Sequence, residues 1–154
     1  HMLSRVANSI YWMNRYLERA ENVARFIAVN VHLMLDLGLT RADTQWEPLV
    51  VTSGDEADFH KRYKGMTEKN VVHFLTFDGQ NPNSILSCIN YARENARTVR
   101  ESISSEMWEE INELYHYTHR HSRKRSMSDL QQFYANIRKG SHLITGLTEN
   151  TFSH

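Results

Sequence analysis

Glycine and proline are scarce in this chain: six and two among 154 residues, against a usual combined share of about 12%. Strand-and-turn proteins need both at their turns, so the shortage argues against an all-β sandwich or barrel. A single cysteine excludes a disulfide framework and a cysteine-built zinc site. Neither sign of charge dominates: 18 Lys and Arg balance 18 Asp and Glu. Nucleic-acid binding wants a basic surface, so no nucleic-acid partner is expected. No apolar run reaches the roughly 18 residues needed to cross a bilayer, so no membrane partner is expected either. The first twenty residues turn polar and charged, unlike a secretory leader, and the default compartment is the cytoplasm. What is left is one domain, long enough to bury a core without staples. His1, before Met2, reads as a tag remnant, and 3–154 as a single all-helical domain.

The first segment carries the clearest pattern. Leu3, Val6, Ile10, Met13, Leu17, Ala20, Ala24, Ile27, Val31 and Met34 are all apolar and alternate spacings of three and four. That stripe predicts one helix of about 33 residues, about 50 Å long. Ser4 is its expected cap and Gly38 its stop, just after Leu37. Such a rod is the spine of an elongated bundle.

Short helices are expected next: one capped by Thr44 with Pro48 in its first turn, one over 56–63, and one over 68–77 capped by Thr67. The turn cluster Asp78-Gly79-Gln80-Asn81-Pro82-Asn83 follows. Ile85, Ile89, Ala92, Ala96, Val99 and Ile103 restore helical spacing behind a cap at Asn83 or Ser84, with a break at 102–105. Met107, Trp108, Ile111, Leu114, Tyr115 and Thr118 share one face of a further helix, acidic at its start and basic at its end, as the helix dipole favours. After a polar loop at 121–126, Ser128 caps a last helix with Leu130, Phe133, Tyr134, Ile137, Leu143 and Ile144 on its apolar side. Gly140 and Gly146 weaken its continuity.

The polar residue that stands out is Arg19, within the segment Arg15 to Arg25. Trp12, Tyr16, Arg19, Val23 and Phe26 form one row beside the stripe. A guanidinium in an apolar row is partly desolvated and needs a carboxylate or an anionic ligand. Glu18 lies on the opposite flank with Asn14, Glu21 and Arg25, so Glu18 and Arg19 border the seam on its two sides. One reading is an interhelical ion pair that sets register; the other is a polar site in the bundle. Arg93, Arg97 and Arg100, with Glu94 and Glu101, offer partners one helix away, and three arginines on neighbouring turns can clamp an anion bidentately. Glu94 or Glu101 is the expected partner of Arg19.

Glu113 and His116 make one E-x-x-H spacing, but a di-iron bundle needs two, so no metal and no cofactor is expected. Cys88 reads as a buried, inert thiol. No nucleophile with its base and no Gly-rich phosphate loop appears.

The opening stretch, residues 3–30, with 74–115 and 139–154, resembles the bacterial Alpha-E domain family, a helical domain with a Glu-Arg motif that Glu18-Arg19 occupies here. The resemblance implies an all-α fold. It also implies a setting beside an ATP-grasp ligase and a transglutaminase-like peptidase, in a peptide-ligation system that the helical module assists. Family members are typically about twice as long, so the chain corresponds to the N-terminal half, and a homodimer is the expected cover for its exposed seam. The functional expectation is a non-catalytic module. It would hold a partner or an anionic peptide end in a polar groove of Glu18, Arg19, Arg15, Glu94, Arg93 and Arg97. The alternatives are an enzyme of amide formation or hydrolysis using Glu18 and Arg19, and a purely structural oligomerisation module.

Overall fold

The computed structural model describes residues 2–38, 46–123 and 126–152. Among these residues there are seven α-helices and no strand: α1 (Met2–Asp36), α2 (Glu47–Ser53), α3 (Glu56–Arg62), α4 (Glu68–Thr76), α5 (Ile85–Thr98), α6 (Ser105–Arg120) and α7 (Met127–Phe152). The fold is all-α, as the periodicity predicts. None of these helices is long and apolar enough to cross a membrane.

The spine is one unbroken helix of 35 residues. Eight stripe residues from Val6 to Val31 are buried along it, and Met13, Leu17, Ala20 and Ala24 are sealed completely. Each large one contributes about 1.5–3 kcal/mol by burial. Two expectations fail at its N-terminus. Leu3 is 80% exposed, because the first turn overruns α5: Arg5 already reaches the last residue of α5, donating to the Thr98 carbonyl at 3.0 Å. Ser4 is no cap, since the helix begins at Met2. The Met34 side chain and Thr44 lie outside the described set.

Side-chain contacts give the directions of the four long helices. Tyr16 meets Tyr91 and Arg19 meets Asn83, so α5 runs against α1. Arg93 meets Asn112 and Asn90 meets His119, so α6 runs against α5. Tyr117 meets Asn136, so α7 runs against α6. His142 meets Glu21, closing α7 back onto α1. The result is an up-down-up-down four-helix bundle.

The three short helices associate at the end where the C-terminal third of α1 outruns α5. Phe59 is their centre, stacked on Tyr63 at 4.8 Å and edge-on to Phe74 at 5.2 Å. Phe77 against Phe133, and the Thr76 to Tyr134 hydroxyl bond at 2.8 Å, tie this layer to α7.

Caps settle the boundaries. Thr67, Ser84 and Ser104 accept from the backbone N–H three residues on. Ser84, and not Asn83, caps α5. The break after α5 begins at Val99, earlier than the serine cluster suggests, and a 3₁₀ turn over Arg100–Ser102 leads into α6. Ser126, and not Ser128, accepts from Asp129 N–H at the start of α7. That helix continues through both glycines. Gly140 is there for close approach: a Cβ on it would stand 2.8 Å from Leu114 Cδ1. Leu143 is half-exposed, off the apolar face that holds Ile144.

Candidate functional site

Arg19 is half-buried on the α5 side of α1. Its Nη1 donates to Asn83 Oδ1 at 3.2 Å. Asn83 Nδ2 in turn donates to both carboxylate oxygens of Asp55, at 3.1 and 3.2 Å. Three segments distant in sequence therefore converge: the middle of α1, the α2–α3 junction and the α4–α5 loop. The guanidinium also lies over the Tyr16 ring, 5.5 Å from its centroid, a cation–π contact. Among the described residues, no carboxylate bonds the guanidinium directly.

The loop that presents Asn83 is rigid for identifiable reasons. Asp78 is buried and accepts from Tyr63 Oη at 2.8 Å, from Arg62 Nη1 at 2.5 Å and from Gln80 N–H at 2.9 Å. Burial alone would raise the Asp78 carboxyl, but these donors outweigh it and hold it below the usual carboxylate range. Asn81, fully buried, donates to the Phe74 carbonyl and accepts from Asn83 N–H. Ser84 Oγ donates to the Asp78 carbonyl while capping α5. With Ser84 as cap, the Asn83 side chain is free to stand between Arg19 and Asp55. Beneath lies Cys88, fully buried, its thiol pushed up to about 12 by burial, with the Arg19 charge opposing that rise. A thiol so protonated and sealed is no nucleophile at neutral pH.

The other expected groove residues go elsewhere. Glu18 is 56% exposed and pairs with Arg15 at 3.0 Å on its own helix. Glu94 and Arg97 pair with each other on the α5 surface, at 2.5 Å. Arg93 leaves the α1 seam entirely: its Nε donates to Asn112 at 2.7 Å, and its guanidinium lies over Tyr115 at 4.5 Å and Trp108 at 5.6 Å. The expectation of one groove joining all six residues is therefore corrected. Glu18 and Arg19, neighbours on a helix, point about 100° apart, and only Arg19 faces α5. Glu94, expected as the partner of Arg19, is satisfied by Arg97 within one turn.

On the Glu18 flank, Glu21 is buried between Arg25 and His142, with His142 Nε2 2.9 Å away. The His142 contact ties α1 to α7. The E-x-x-H pair lies on the outer face of α6, where Glu113 pairs with Arg120 at 3.3 Å and His116 borders an open depression of about 750 Å³ beside Trp108 and Arg100. Among the described residues, no three metal-ligating side chains converge.

Asn83 and Asp55 are the site residues that sequence reasoning misses. Their signal was present but unspecific: both sit in turn clusters, where Asn and Asp occur for backbone reasons.

The described residues thus form an antiparallel four-helix bundle in which an interhelical loop holds a half-buried arginine at the side of the longest helix. The family model of Alpha-E, described as a predicted alpha-helical domain with a conserved ER motif, matches residues 2–154. The chain belongs to the Alpha-E family. Glu18-Arg19, the residues expected to supply that motif, is the one Glu-Arg dipeptide in its sequence. Neither the curated proteins nor the solved structures contain a match.

Proposed function

We propose that this chain is a non-catalytic helical module that holds the carboxylate end of a peptide at Arg19. In this role it assists an ATP-grasp ligase and a transglutaminase-like peptidase that act on such ends. The observation that carries the reading is the state of the Arg19 guanidinium. It is half-buried, and among the described residues it is hydrogen-bonded by one neutral amide, with Asp55 behind that amide. A partly desolvated cation with unused N–H donors favours an incoming carboxylate, which it can bind bidentately. Asn83 fixes the guanidinium, and Asp55 fixes Asn83.

The enzymatic alternative has less support. A general base must stand within hydrogen-bond reach of the reacting proton, and Glu18 turns away to Arg15. The structural alternative rests on the same bonds read as a clamp between α1 and the α4–α5 loop.

Titration with N-acetyltriglycine and with its C-terminal amide tests the proposal. The free acid is expected to bind and the amide not, with binding lost in Arg19→Met. Co-expression with the ligase and the peptidase is expected to recover a complex with one of them. A folded Arg19→Met protein that binds the acid as well as the parent would overturn the carboxylate site and leave the clamp.

A further inference from the structure

A row of aromatic rings leads away from Arg19. Tyr16 carries the guanidinium on its face and contacts Tyr91 of α5 at 5.1 Å. Trp12, one turn earlier, lies 6.1 Å from Tyr16, and Tyr11 adjoins Trp12 at 5.3 Å. Tyr16 is partly buried against the core, but the other rings are open to solvent. Trp12 is 41%, Tyr91 42% and Tyr11 55% exposed. Single exposed aromatics are ordinary, but a contiguous exposed row marks a contact surface.

Of the cations near this strip, two are already held by carboxylates. Arg15 is paired with Glu18, and Arg97 with Glu94. Arg5 donates to the end of α5. Arg19, at the strip's inner end, has no carboxylate bonded to it among the described residues.

Spacing fits one kind of occupant. Seven residues of helix separate Trp12 from Arg19, a rise of about 10 Å. That is about three residues of extended peptide. Along an extended chain, side chains two residues apart share a face and stand about 6.7 Å apart. The Trp12 and Tyr16 ring centroids, 6.1 Å apart, match that period.

We infer that the Arg19 site reads a C-terminal tripeptide with flat apolar side chains at its last and third-last positions. The carboxylate sits on Arg19, the last side chain on Tyr16 and Tyr91, and the third-last on Trp12. This inference rests on the carboxylate reading above and adds the sequence preference. Ring-on-ring contacts of this kind add to simple area burial, and backbone polar groups of the peptide remain at the open side, in water.

Fluorescence polarisation with labelled tripeptides tests it. The probes are Phe-Gly-Phe as free acid, Gly-Gly-Gly as free acid, and Phe-Gly-Phe as C-terminal amide, each labelled at the N-terminus. The free acid Phe-Gly-Phe is expected to bind at least tenfold more tightly than either of the others. Trp12→Ser and, separately, Tyr91→Ala are expected to shrink its advantage over Gly-Gly-Gly to less than threefold. Both residues are solvent-exposed, and circular dichroism checks that each variant remains folded. Equal binding of the two free acids would overturn the aromatic preference while leaving the carboxylate site standing. Equal binding of Phe-Gly-Phe acid and amide would overturn the carboxylate site, and this inference with it. So would binding of no probe.

Discussion

Arg19 on α1 meets Asn83, 64 residues later, at 3.2 Å, and through it the Asp55 carboxylate. The arginine of the Glu-Arg motif thus binds the loop between α4 and α5, while the glutamate beside it faces solvent. The two motif residues act on different surfaces. Their adjacency in sequence is no sign of a shared site.

Asn83→Ala removes three hydrogen bonds at once. The loss expected is about 1–3 kcal/mol, since Asp55 and Arg19 are both left short of a partner at a half-buried position. Chemical denaturation measures it. The Arg19→Met, Asn83→Ala double variant should lose less than the sum of the single losses, because the two residues share the interaction.

Thr76 and Tyr134 share a fully buried hydroxyl bond at 2.8 Å. Tyr134→Phe strands the Thr76 hydroxyl and should lose about 1–3 kcal/mol. Replacing both, with Thr76→Val and Tyr134→Phe together, should recover much of that loss, because no polar group is then left unpaired. Thermal or urea unfolding of the four proteins completes the cycle.

Asp78 makes stability depend on acid. Its folded carboxyl titrates below the unfolded value, so its contribution is fully present above the unfolded range, near pH 4, and fades as pH falls through the lower folded value. Unfolding free energy should therefore drop as pH is taken below about 4. Asp78→Asn should be less stable at pH 7 and show a shallower decline over that acid range.

The two glycines of α7 should respond differently to alanine. At Gly146 a Cβ meets nothing within 4 Å, so Gly146→Ala should stabilise by about 1 kcal/mol through helix propensity. At Gly140 the same change drives the new methyl against Leu114. Its gain should fall clearly short of the Gly146→Ala gain, as paired melting curves would show.

The spine was legible because its signal is repeated: eight consecutive stripe positions from Val6 to Val31 are buried, and each spacing of three or four reinforces the next. The ends were less so. Periodicity says which way Leu3 and Leu143 point along a helix, but not where the neighbouring helix stops or how wide its contact is. The site was half legible. Arg19 stood out as a cation in an apolar row. Its partner did not, because reasoning by charge selects Glu94 or Glu101, whereas the group that arrived was a neutral amide from a turn. Asn83 and Ser84 suit a helix cap equally well in sequence. Only the backbone decides that Ser84 caps, and that choice frees the Asn83 side chain for Arg19.

The side-chain Nε–H signal of Arg19 tests the central claim most directly. In ¹⁵N-labelled protein this signal is identified by its absence from Arg19→Lys, and N-acetyltriglycine is then titrated in. A shift of the Arg19 signal that saturates with the free acid and does not occur with the amide is the result expected. Binding that leaves the Arg19 signal unmoved, or no binding of the acid at all, would contradict the account.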